Sequence, residues 1–264
     1  MLERRRFGYN AQRAMSVPAI HVENLTHQYA EAERPAVGGL SFSIEPGEIV
    51  GLLGPNGAGK TTTLHAILGL LVPTAGVVRV FDRSPLTHRL EVLRRLNFAS
   101  VDVDLPSNLT AAECLVIFGR LYGVHDVRVR IEELSDQFEL GSLSKRLVGT
   151  LSAGEQTRLK LCKALLNAPD VLILDEPTLS LDPYMAQKVR GLLKRIQRER
   201  RMSILHTSHN MQEVEAFCDR IIFLHRGRKL AEGAPREVME RFRSRSLDEL
   251  FIRVAKSGEL FDVH

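Results

Sequence analysis

The stretch Ile49-Val-Gly-Leu-Leu53 runs directly into Gly54-Pro-Asn-Gly-Ala-Gly59-Lys60-Thr61, and a helical pattern follows from Thr61 to Leu71. An apolar strand-like run, a glycine-rich loop and a helix in immediate succession are the context a phosphate-binding loop requires. Its glycines let backbone N–H groups turn inward around phosphate oxygens, and the helix that begins near Lys60 aims the positive end of its dipole at the anion. In such a loop Lys60 reaches the β- and γ-phosphates of a nucleotide and the Thr61 hydroxyl holds Mg²⁺.

Upstream, Ile20-His-Val22 and Leu40-Ser-Phe42-Ser-Ile44 alternate as strands do, and Glu45-Pro46-Gly47-Glu48 is a turn signal. Downstream, Pro73-Thr-Ala-Gly76 stops the helix and Val77–Val80 reads as a strand. Residues from about 102 to 166 change character, with helical patterns over Ala111–Tyr122, Val127–Phe138 and Ser152–Leu166. They form a helical insertion in a strand-rich core, which resumes at the buried-strand run Val171-Leu-Ile-Leu174. A helix (Pro183–Arg200), a strand (Ser203–His206), a helix (Met211–Cys218) and a strand (Arg220–Leu224) follow. That alternation argues for an α/β domain with a largely parallel sheet. Gly227 and Gly233 punctuate its end, and a charged helical tail runs on from Pro235.

The 264 residues are 44% hydrophobic and 26% charged, ordinary for a globular chain, and no apolar run approaches the roughly 18–20 residues of a membrane span. Cys114, Cys162 and Cys218 are odd in number and far apart, as in a reducing compartment, so the chain reads as cytoplasmic. The net charge of +4 is concentrated at the start: residues 1–15 hold Arg4, Arg5, Arg6 and Arg13 against Glu3. The interior basic run from Lys188 to Arg201 has the spacing of a solvated helix face, so the charge does not argue for nucleic acid. Residues 1–18 are expected to be a disordered basic extension. Met15 is an alternative start, and the Arg-rich, acid-poor composition also suits an organellar transit peptide.

Two further stretches carry chemistry. In Val171-Leu-Ile-Leu-Asp175-Glu176, a carboxylate at the tip of a buried strand can reach the Mg²⁺ shell (Asp175), and the next can polarise an attacking water (Glu176). Leu151-Ser152-Ala153-Gly154-Glu155-Gln156 stands just ahead of a helix. Its serine and glycine make a second anion-binding helix end, or on the plainer reading a serine N-cap.

In this order and spacing the chain closely resembles the ABC ATPase family over about residues 19–236. Leu151–Glu155 resembles the family signature, with Ala153 where glycine is usual and Glu155 where glutamine is common. Ser180-Leu181-Asp182 resembles the D-loop, and His209 in Thr207-Ser-His the switch histidine. Tyr29 falls at the position of the aromatic that stacks on adenine. The resemblance implies a P-loop NTPase (RecA-like) α/β core with an antiparallel β subdomain, a helical subdomain at about 102–166, and a C-terminal helical tail at 237–264. It implies ATP bound by Tyr29 and by Gly54, Pro55, Asn56, Gly57, Ala58, Gly59, Lys60, Thr61 and Thr62. Thr61 and Asp175 hold Mg²⁺, and Glu176, His209 and Lys60 act in hydrolysis. Two cassettes, a second copy or a related chain, face each other head to tail, so that Ser152, Ala153, Gly154, Glu155 and Asp182 meet the partner's nucleotide.

A single P-loop and a short insertion favour a transporter subunit working with separate transmembrane permease subunits, and the pattern around Asn97 to Leu121 resembles that of cassettes serving exporter-type permeases. A soluble ABC ATPase of DNA repair or translation is the alternative. One family feature is missing. Where these cassettes carry a Mg²⁺- and water-contacting glutamine, the sequence Leu96-Asn-Phe-Ala-Ser-Val101-Asp102-Val-Asp104-Leu-Pro106 places Val101. Valine can do neither task. Either Asp102 supplies the function, as a hard ligand for Mg²⁺, or Asp102 and Asp104 are solvated loop acids and the function is absent.

Overall fold

The computed structural model describes residues 17–257. The expectations for residues 1–16, and for the last seven residues of the tail, lie outside them. The chain forms strands β1 (Ile20–His27), β2 (Val37–Ile44) and β3 (Ile49–Leu53), helix α1 (Lys60–Ile67), β4 (Ala75–Val80), α2 (Arg89–Arg95) and β5 (Leu96–Ser100). Helices α3 (Ala111–Leu121), α4 (Val127–Gln137) and α5 (Ala153–Leu165) then intervene before β6 (Val171–Asp175). After it come α6 (Pro183–Arg200), β7 (Ser203–Thr207), α7 (Met211–Phe217), β8 (Arg220–His225), β9 (Arg228–Gly233), α8 (Pro235–Arg241) and α9 (Leu247–Ser257).

Two sheets result. β2-β1-β4 is antiparallel, and the larger sheet runs β5-β6-β7-β3-β8-β9. Its pairs from β5 to β8 are parallel and only β9 runs against its neighbour. Both faces of its central strands are covered, which is why β3 and β6 read as continuous apolar runs with no alternation. Val50 and Leu52 join a core shared with α1 and the antiparallel sheet. Ile49 and Leu53 point the other way, into a core shared with α3–α9.

Local chemistry sets the helix ends. Thr110 and Ser152 each open a helix with a reciprocal capping box, closed by Glu113 and Glu155. Asp182 caps α6, with Pro183 in its first turn. Helix α1 is shorter than its apolar pattern suggests: Gly69 and Leu70 turn their amides back onto the carbonyls of Ala66 and His65, so the helix ends at Ile67. The C-terminal tail is two helices, broken where Arg243 adopts φ 48°. Leu247, Leu250 and Val254 of α9 are sealed into the larger core. No helix among the described residues is long and apolar enough to cross a membrane.

Candidate nucleotide site

The parallel strands β3, β6 and β7 end side by side, and their C-terminal tips bring residues distant in sequence together. The loop after β3 wraps into α1, whose N-cap Gly59 sits at φ 102° with no side chain capping the first amides. A Cβ there would stand 2.6 Å from the Ala36 carbonyl oxygen, so only glycine fits. The uncapped turn keeps backbone donors and the positive helix end available to an anion. Lys60 Nζ donates to the carbonyl oxygens of Gly54 (2.6 Å) and Pro55 (3.2 Å), folded over the loop it belongs to. Burial lowers its pKa from the usual lysine value, an effect opposed by the nearby carboxylates of Glu176 and Asp175. Thr61 is exposed, whereas Thr62 is buried with its hydroxyl 3.3 Å from that of Tyr29. The Tyr29 ring is half-exposed beside the loop and meets His27 edge-on.

Asp175 ends β6 and Glu176 follows it. Asp175 Oδ1 accepts from the Thr207 hydroxyl at 2.6 Å, and the Ser100 hydroxyl lies 3.5 Å from Oδ2. Glu176 adopts φ 50°, a costly conformation for a residue with a side chain, and its amide is held by the carbonyl and hydroxyl of Thr207. The His209 amide donates to Glu176 Oε2, and His209 Nε2 lies 3.3 Å from Oε1. Oε1 is buried and receives no directed hydrogen bond among the described residues. Burial raises the Glu176 pKa, opposed chiefly by His209, which moves the carboxylate toward the basicity a general base needs. Asp175 and the Thr61 hydroxyl are hard oxygen donors of the kind Mg²⁺ takes together with phosphate, so the residues fit that ion.

The residues expected at the signature lie elsewhere. Ser152 caps α5, its hydroxyl accepting from the Glu155 amide and its own amide donating to Glu155 Oε2 at 2.7 Å. Arg146 holds the other Glu155 oxygen. Ala153 is exposed, and Gly154 packs beside the Ser180 carbonyl, 3.1 Å from where a Cβ would be. Asp182 accepts from the Met185 amide, and thus serves as a helix cap on its own chain.

The loop that follows β5 is organised by residues the sequence did not single out. Asp102 and Asp104 are exposed, and it is Ser100 that faces Asp175. The Ser100 hydroxyl also accepts from the Asp102 amide. Val101 offers its carbonyl to the ammonium of Lys160, a lysine of α5 that is only 7% exposed. Behind the D-loop, buried Glu213 accepts from the Thr178 hydroxyl and pairs with Arg190 at 3.3 Å. A buried lysine and a buried glutamate leave no local pattern; only the strand order, which sets β5, β6 and β7 side by side, reveals the roles of Ser100 and Thr207.

A sequence profile of the ABC transporter family matches residues 37–179. The chain belongs to this family. It is 39% identical over 220 residues to the ABC transporter ATP-binding protein NatA of Bacillus subtilis, covering 82% of this chain and 89% of that one. It is also 39% identical over 232 residues to the Nod factor export ATP-binding protein I of Burkholderia thailandensis, covering 86% and 74%. Among solved structures, the dimeric post-hydrolysis state of the ATP-binding cassette MJ0796 with ADP and Pi superposes at a TM-score of 0.76, at 26% identity, covering 81% of this chain and 98% of that one. The expected ABC ATPase fold is the observed one, and as an ATP-binding subunit of the ABC transporter type the chain binds and hydrolyses ATP to drive transport.

Proposed function

We propose that this ABC ATPase works as a head-to-tail pair of cassettes, with itself or a related chain, on the cytoplasmic face of a separate membrane permease, and that it powers export. The observation that carries the reading is the convergence of Lys60, Asp175, Glu176 and His209 at the C-terminal tips of the central parallel strands. The Gly54–Thr62 loop cradles the phosphates, with Tyr29 beside it for the adenine, and Lys60 leaves its two carbonyls for the β- and γ-oxygens. Glu176 Oε1 orients a water and takes its proton as the water oxygen attacks the γ-phosphorus and the bond to ADP breaks, while His209 holds the γ-phosphate. Mg²⁺, held by Thr61 and Asp175, would neutralise charge on the phosphates. Ser152, Ala153 and Asp182, which are exposed, would close over the partner's nucleotide together with Gly154 and Glu155.

The name of the Nod factor relative supports export. A permease site is supported by an apolar groove of about 460 Å³ between the core and the helical insertion. Its lining includes Phe98, Leu93 and two outward-facing leucines, Leu90 (76% exposed) and Leu121 (72%).

Glu176→Gln tests the chemistry. It should bind ATP, elute as a dimer with ATP and as a monomer without it, and turn over ~10²–10⁴-fold more slowly. Near-normal turnover would remove Glu176 from its role.

A further inference from the structure

The family profile ends at residue 179, yet the chain's last described helix reaches back to the hydrolytic pair. Helix α9 is anchored by Leu247, Leu250 and Val254, each at most 1% exposed, while Ile252 faces outward. Phe251, partly buried beside this anchored face, meets the His209 ring edge-on, with centroids 6.3 Å apart and planes at 90°. It also packs against Phe223 of β8, with centroids 6.1 Å apart. His209 in turn touches both Glu176 oxygens, through its amide and through Nε2.

The position of the imidazole matters because, apart from Glu176, little else holds it. Its side chain is 46% exposed, and it lies on the short turn between β7 and α7. A half-exposed ring on a turn samples several rotamers unless a neighbour selects one. The edge-on geometry with Phe251 is one that aromatic rings favour, and its typical strength corresponds to a roughly two- to tenfold bias toward one orientation.

We propose that Phe251 is a positioning residue for ATP hydrolysis: braced by Phe223, it fixes the His209 ring against Glu176, so that α9 belongs to the catalytic apparatus. The inference rests on the roles proposed above for Glu176 and His209. Because Leu247, Leu250 and Val254 anchor the helix independently, trimming Phe251 leaves α9 docked.

The test is a double-mutant cycle on the purified full chain, reading kcat and KM for ATP. Phe251→Ala should lower kcat roughly two- to tenfold with KM unchanged and a cooperative melt retained. Phe251→Tyr should restore the rate, and Ile252→Ala should match the parent. In a His209→Ala background, with residual single-turnover rates measured, Phe251→Ala should cause no further loss. An unchanged kcat in Phe251→Ala, or an equal loss with and without His209, would overturn the positioning role while leaving the hydrolytic pair intact. A normal rate in His209→Ala itself would overturn the pair, and the inference with it.

Discussion

His206 lies in β7, in the middle of the sheet between β6 and β3, aligned with Leu174 on one side and Gly51 on the other. It is 1% exposed, packs edge-on against Phe217 at 5.3 Å, and neither ring nitrogen has a hydrogen-bond partner among the described residues. Burial, with a smaller contribution from Arg190, pushes its pKa from 6.5 down to about 3. The folded protein therefore holds the ring neutral while the unfolded chain takes up a proton below about pH 6.5. Stability from this group is complete above that pH and is lost as pH falls toward 3, at up to about 1.4 kcal/mol per unit. Between pH 7 and pH 5 the loss is about 2 kcal/mol, a large part of a typical stability of about 5–15 kcal/mol. β7 also supplies Thr207 to Asp175 and leads into His209, so acid should open the nucleotide site along with the sheet. Urea unfolding of the parent and of His206→Leu at both pH values measures the effect, and other titrating groups cancel in the comparison. The variant should lose about 2 kcal/mol less on acidification. Equal pH dependence in the two proteins would refute the reasoning.

Asp102→Ala should leave basal hydrolysis of the isolated chain within a few-fold of the parent, because Ser100 and not Asp102 faces Asp175; a collapse rescued by raised Mg²⁺ in a steady-state ATPase assay would contradict this. Leu90→Asp combined with Leu121→Asp should keep ATP hydrolysis but abolish co-purification with the permease from membranes, and unchanged recovery would place the docking surface elsewhere.

The candidate nucleotide site was legible where its chemistry is contiguous. The phosphate loop needs only neighbouring residues, and so does a carboxylate pair at the end of an apolar strand. Asp182 followed by Pro183 marks the start of α6 just as sharply. What surrounds Asp175 was not legible, because Ser100, Asp175 and Thr207 meet only when β5, β6 and β7 are set in that order. Lys160 carries a charge within an ordinary helical pattern, and nothing local says that its ammonium is buried. Phe251 belongs to a segment that reads as a charged tail, and its contact with His209 depends on how the preceding turn at Arg243 redirects the chain. Ser152 illustrates the opposite case: the plainer reading, a helix cap, is what the structure shows, with its hydroxyl accepting from the Glu155 amide.

The bond between Lys160 and the Val101 carbonyl makes α5 a connecting rod. Ser152 stands at one end of this helix, and Lys160 lies eight residues along, roughly 12 Å at the rise of an α-helix. The ammonium is buried, so this bond is shielded from competing water. On the proposed head-to-tail arrangement, a push at Ser152 would be passed to the loop after β5, and that loop leaves the strand whose Phe98 lines the apolar groove. In this chain the transmission between fuel and load would then run through a rigid strut.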